Sequence, residues 1–125
     1  GMTGKRRDIA AGMLAIDAYE EPMAAKLRAE LRKIEGLTLY GPPEGYPRTS
    51  TVSFTIAGKN SHDIAEFMAE RGIFVWDGDF YAIEITNMVL KLAEQGGLLR
   101  IGLAPYNTMA DIERTIQAVK DFVKE

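Results

Sequence analysis

Gly96-Gly97 leads into Leu98-Leu99-Arg100-Ile101-Gly102, a short apolar run with one arginine in its interior. Pro105 and Asn107-Thr108 then open a stretch in which Met109, Ile112, Ile116, Val119 and Val123 fall on one helical stripe. A strand of this kind needs sheet neighbours, and a helix with a single apolar stripe needs a layer to cover, so the pair points to helices packed on a sheet. Arg100 adds a second constraint. Burying a guanidinium is costly unless an acceptor meets it, and its fork suits a carboxylate held by two parallel bonds. Two readings stand side by side: Arg100 grips a ligand carboxylate, or it pairs with a carboxylate of its own domain.

The remainder of the chain fits that architecture. Ile9, Met13, Ile16, Met23, Leu27, Leu31 and Ile34 recur at steps of three, four or seven, which predicts a long helical segment that Thr3 caps and Gly36 ends. Pro22 interrupts it, and a kink or a break is expected there because proline removes one hydrogen bond and clashes with the preceding turn. Strands are predicted at Leu37–Tyr40, Thr51–Ile56, Ile73–Trp76 and Leu98–Gly102, with a Gly- and Pro-rich loop at residues 41–47. Helices are predicted at Asn60–Arg71, with Ile64, Phe67 and Met68 on one face, and at Tyr81–Glu94, with Ile83 or Ile85, Met88 and Leu92 as candidates for its buried side. Asp77-Gly78-Asp79 reads as a turn, and Thr108 with Asp111 as a capping box in which Asp replaces the usual Glu. The expected fold is α+β: a two-layer domain with a small, mainly antiparallel sheet of about four short strands and helices on one face. Residues 1–36 form a linking helical segment, kinked near Pro22, and residues 37–125 the domain proper.

Composition removes several function classes. The chain has 125 residues, a net charge of −3 and no cysteine. Disulfides, thiolate metal sites and cysteine nucleophiles are excluded. The acidic balance argues against nucleic acid and anionic membrane as partners, with Lys5-Arg6-Arg7 read as a solvated helical turn. No apolar run approaches a membrane span and no signal peptide is visible, so a cytoplasmic origin is expected. Gly1 ahead of Met2 reads as a remnant of tag removal. His62 stands alone as a metal ligand and reads as a surface side chain; Asp77 and Asp79 supply too few oxygens for a magnesium site, and no metal is expected. Phosphate-loop, dinucleotide and nucleophile-elbow motifs are missing.

Three ordered blocks carry a resemblance: Arg48-Thr49-Ser50-Thr51-Val52-Ser53-Phe54, the stretch from Gly72 to Ala82, and the stretch from Leu99 to Thr108. Together they resemble the C-terminal small domain of class V aminotransferases, the pyridoxal-phosphate enzymes of fold type I that include cysteine desulfurases. The long first helix resembles the one that joins the large and small domains of that family. The resemblance implies that Arg100 binds a substrate carboxylate. It places Tyr81, in Gly78-Asp79-Phe80-Tyr81-Ala82, where cysteine desulfurases carry their nucleophilic cysteine. A phenol cannot accept sulfur as a persulfide, so desulfuration by the family mechanism is not expected. Asp79 and Tyr81 either line a substrate pocket or belong to a β-to-α turn.

The resemblance further implies a larger machine. Enzymes of this group hold the cofactor on a lysine that typically follows Ser-x-His, and no lysine follows His62 in that way. Pyridoxal phosphate is therefore expected in the full-length enzyme, on a large domain upstream, and not on this chain alone, which is expected to be inactive by itself. The implied partners are that large domain, an amino-acid substrate and a second copy in a homodimer. The implied chemistry is transamination, elimination or racemisation of the amino acid. The rival reading is a free-standing α+β module that binds a small carboxylate ligand at Arg100. Exposed apolar surface separates the two, because an excised domain leaves a docking face bare.

Overall fold

The structure, a computed structural model, describes residues 3–125; Gly1, read above as a tag remnant, lies outside the described residues. Seven main elements follow one another: α1 (Gly4–Leu31), β1 (Leu37–Tyr40), β2 (Val52–Ile56), α2 (Ser61–Ala69), β3 (Trp76–Gly78), β4 (Leu98–Ile101) and α3 (Met109–Lys124). The strands form one antiparallel sheet in the order β1-β2-β4-β3. α3 touches both other helices; α1 reaches β1 and β2, and α2 reaches β3 and β4. The expected α+β fold of a four-stranded sheet with a helical layer is what the chain forms.

The core lies between the two layers. Val52, Phe54 and Ile56 from β2 and Leu99 and Ile101 from β4 meet Leu27 and Leu31 of α1, Ile64 and Met68 of α2, and Ile112, Ile116 and Val119 of α3. Phe67 and Phe122 close it edge to face at 5.2 Å, a geometry that suits the ring quadrupoles. At the start of α3 the capping box forms as read: Asp111 accepts the Thr108 N–H at 2.8 Å while Thr108 Oγ1 accepts the Asp111 N–H at 3.4 Å. That reciprocal pair lowers the Asp111 carboxyl below its ordinary range, chiefly through the Thr108 backbone bond.

Four expectations are corrected. α1 runs through Pro22 without a break and ends at Leu31, five residues ahead of Gly36. Gly36 instead adopts a φ of +77° in the turn before β1, where its carbonyl accepts the Ala57 N–H at 2.9 Å. Thr3 sits at the N-cap but its side chain makes no capping bond. The predicted strand Ile73–Trp76 is displaced to Trp76–Gly78, so Asp77 and Gly78 are strand and not turn. Extending the β3–β4 register backwards would set residues 73–75 opposite residues 101–103. There the chain leaves the sheet after Ile101, and a cleft of about 310 Å³ opens between the two segments. Finally, the predicted helix Tyr81–Glu94 reduces to a π turn at Glu84–Val89 and a 3-10 turn at Ala93–Gln95. Ile85, Thr86 and Val89 are β-branched and disfavour regular helix, and Lys91 turns left-handed at φ +57°. Of the residues proposed for its inner face only Leu92 is buried, joined by Thr86, while Ile83, Ile85 and Met88 are exposed.

The predicted stripe of α1 is divided in the same way. Met23, Leu27 and Leu31 are buried, whereas Ile9 and Met13 are exposed at 57% and 60%. Leu27→Ala should therefore cost about 2–5 kcal/mol through transfer and cavity terms. Ile9→Ala should stay within about 0.5 kcal/mol, as for a surface site. Urea unfolding of the two variants checks this; equal losses would mean that the first half of α1 packs on something in solution.

Candidate functional site

Arg100 owes its position to strand parity. On β4 its neighbours Leu99 and Ile101 point into the core, so Arg100 lies on the opposite face. The registers Ser53↔Arg100 and Trp76↔Arg100 place Ser53 and Trp76 beside it on that face. Trp76 is 62% exposed. Among the described residues no carboxylate pairs with Arg100. Its guanidinium instead lies over the Phe80 ring, 4.3 Å from the centroid. Ring and guanidinium attract through the quadrupole, and stacking leaves the N–H edge free for a planar anion.

Phe80 gets there by an uncommon backbone. Phe80 and Tyr81 adopt φ values of 55° and 64° in succession. Left-handed side-chain-bearing residues cost on the order of 1 kcal/mol each and persist only where other contacts fix them. Asp79 does that fixing: its Oδ1 accepts the Tyr81 N–H at 2.9 Å and its carbonyl accepts the Ala82 N–H at 2.9 Å. A second constraint comes from behind, where Gly97 approaches β3 so closely that a Cβ there would run into the Gly78 carbonyl. Asp79 is thus a turn-former in this structure. Tyr81 is 98% exposed, and its hydroxyl makes no hydrogen bond among the described residues. It borders a shallow depression with Ala82, Ile83, Glu84 and Ile85. Arg100 and Phe80 are brought together; neither Tyr81 nor Asp79 is hydrogen-bonded to Arg100.

The partnership with Phe80 and the flank by Trp76 were not readable from sequence. Register decides which residue stands opposite Arg100, and only the displaced β3 puts Trp76 there. The same displacement gives Asp77 a partner that spacing alone does not reveal. Its Oδ2 lies 3.1 Å from His62 Nδ1, with Glu66 at 3.4 Å from the other ring nitrogen. His62 is exposed, as expected, but it ties α2 to β3. No group of residues suited to a metal occurs among the described residues, and no helix there is long and apolar enough to cross a membrane.

The model of aminotransferase class V matches residues 9–115. The chain belongs to that family. Members of the class V family depend in general on pyridoxal phosphate. A cysteine desulfurase of Yersinia pestis (strain Pestoides F) is 28% identical over 113 residues, 90% of this chain and 26% of that protein. The chain therefore spans about a quarter of the length of the curated relatives it matches. Among solved structures, the cysteine desulfurase of Thermococcus onnurineus NA1 superposes with a TM-score of 0.79 at 24% identity, covering 95% of this chain and 28% of that one. The cysteine desulfurase CsdA of Escherichia coli superposes at 0.73, also at 24% identity, over 87% of this chain and 25% of its own. At that identity the likeness supports the α+β fold.

The Asp77 hydrogen bond, with the charges of Asp77 and Glu66, raises the His62 pKa above its ordinary value. A raised folded pKa stabilises the fold fully below the unfolded value of about 6.5 and loses that effect as pH rises through the folded value. Asp77→Asn should bring the imidazole back towards its ordinary titration and flatten the stability profile over that window. A proton NMR titration of the His62 ring checks it; an unchanged midpoint would mean that the contact does not form in solution.

Proposed function

We propose that this chain is the C-terminal small domain of a pyridoxal-phosphate-dependent class V aminotransferase-like enzyme, and that Arg100 receives the carboxylate of its amino-acid substrate. The observation that carries this reading is the guanidinium of Arg100, stacked on Phe80, flanked by Trp76 and without a carboxylate partner among the described residues. A ligand carboxylate would complete it with two charge-assisted bonds. α1 (Gly4–Leu31) would be the main part of a linking segment at residues 1–36, and residues 37–125 the small domain proper.

The donor set around Arg100 does not fit the cofactor itself. Ser53, Trp76 and Phe80 include no amine for a Schiff base and no carboxylate for a pyridine nitrogen. In the proposed enzyme the lysine-bearing large domain holds pyridoxal phosphate, and this chain alone turns over no substrate. The present residues bind and orient. Arg100 fixes the carboxylate end of the substrate, Phe80 fixes the plane of the guanidinium, and Asp79 positions Phe80 through the turn it holds. On this reading Tyr81 would face the substrate, and without a thiol at that position the enzyme would not form a persulfide.

Bare apolar surface supports the larger assembly over a free-standing carboxylate-binding module. Ile9, Met13 and Leu14 of α1 are exposed, as are Phe74, Trp76, Tyr81, Ile83, Ile85, Met88 and Val89. We read these exposed side chains as parts of docking faces. The large domain and a second protomer are the proposed occupants, and the cytoplasm the proposed location.

An antibody raised to the chain and used on an extract of the source organism should reveal a product several times heavier than 13.8 kDa. A product of 13.8 kDa would return the reading to the binding module. In that longer protein Arg100→Ala should raise KM for the amino acid by about tenfold or more, as loss of a charged hydrogen-bond partner does. Steady-state kinetics with unchanged KM and kcat would remove Arg100 from the site.

A further inference from the structure

The open face of the sheet carries an ordered row across all four strands. The registers Tyr40↔Ser53, Ser53↔Arg100 and Trp76↔Arg100 set Tyr40, Ser53, Arg100 and Trp76 side by side, on the face away from the core. Arg100 is the one charged residue that the strands place on that face. The two aromatic ends of the row differ. Tyr40 is half-buried, with its hydroxyl 3.4 Å from Thr55 Oγ1. Trp76 is 62% exposed, and no ring or cation is stacked on its indole among the described residues.

An indole is among the largest apolar surfaces a side chain can leave in water. This one stands one strand away from a guanidinium that no carboxylate meets among the described residues. Residues directly opposite on neighbouring strands hold their Cβ atoms about 5 Å apart. A ring that hangs two carbons from its own carboxylate therefore reaches Trp76 when the carboxylate sits on Arg100. On the other flank Ser53 offers only a short hydroxymethyl group, which gives such a ring no wall to pack on. Unlike the other exposed apolar side chains, Trp76 is in register with Arg100. A protein surface laid flat on the indole would also close over the guanidinium and shut a carboxylate out. The group that covers Trp76 is then the ligand's own side chain. Neither a second carboxylate nor an ammonium group on that side chain meets an opposite charge from the strands of this face.

We propose that Trp76 sets the specificity of the Arg100 site, and that the amino acid received there carries an aromatic side chain whose ring packs on the indole while its carboxylate meets Arg100. The inference rests on the carboxylate role proposed for Arg100. Ring against ring adds an offset or edge-to-face contact to the apolar area removed from water, and a saturated side chain of like size supplies only the area.

Trp76 is the only tryptophan of the chain, so its fluorescence reports directly on the site. Propionate, 3-cyclohexylpropionate and 3-phenylpropionate, each titrated into the chain at constant ionic strength, test the proposal by that fluorescence and by the NMR shift of the Arg100 Nε–H. All three should saturate, with 3-phenylpropionate about tenfold tighter than propionate and a few-fold tighter than the cyclohexyl compound. In Trp76→Leu, followed by the Arg100 resonance, the affinity for 3-phenylpropionate should fall to within about twofold of that for propionate. Trp76 lies on the surface, so the variant keeps its core, and its amide spectrum checks the fold. Equal binding of propionate and 3-phenylpropionate, no advantage over the cyclohexyl compound, or a preference that survives Trp76→Leu overturns the aromatic assignment and leaves the carboxylate role of Arg100 standing. No saturable response of the Arg100 resonance to any of the three overturns both.

Discussion

The pairing of β2 with β4 is the contact on which the rest depends. Phe54↔Leu99 and Val52↔Ile101 put four large side chains on one face, under the helices, and leave Ser53↔Arg100 on the other. One register therefore settles two things at once. It gives α1, α2 and α3 a common apolar floor, and it sets a guanidinium on the face that the three helices leave open. A slip of one residue would exchange them, burying Arg100 among Leu27, Ile64 and Val119 with no acceptor in reach. The cost of that alternative makes the arginine a register device as well as a candidate ligand.

Around Arg100 the chain accepts local strain for placement. Phe80 and Tyr81 sit in a region that favours glycine, held by Asp79 in front and by the close Gly97–Gly78 approach behind. A turn so fixed delivers an aromatic ring to the guanidinium without a regular element to carry it. The following segment then forgoes ordinary helix for a π turn, a shape often found beside functional sites. The turn at residues 79–82 is thus held by specific hydrogen bonds, while residues 84–95 form no regular helix.

Periodicity and caps made most of the fold legible: β1, β2, α2, β4 and α3 fall within a few residues of their predicted bounds because stripe, β-branched run and capping box agree with the packing. Two of the departures are non-local in origin. β3 moved because pairing with β4 outweighed the apolar run Ile73–Trp76, and no local pattern encodes where β4 leaves the sheet. The first half of α1 carries a stripe that nothing among the described residues covers, since an amphipathic pattern states that a face is to be buried and not what buries it. Arg100 stood out as a lone cation in an apolar strand. Phe80 and Trp76 did not, because each depends on contacts between separate segments.

The uncovered stripe and the unpaired arginine point the same way. Ile9 and Met13 repeat the helical spacing of Met23, Leu27 and Leu31, so one continuous face of α1 is half core and half bare. A surface helix that met only water would gain nothing from apolar residues at those steps, and a module complete in itself would have little reason to keep them. Beyond its part in fixing the register, an unpaired, half-buried guanidinium adds nothing to the core. Under the proposed function both have a use: α1 would bridge two bodies with one stripe, and Arg100 would face a ligand held between them. The chain spans about a quarter of the length of the curated relatives it matches.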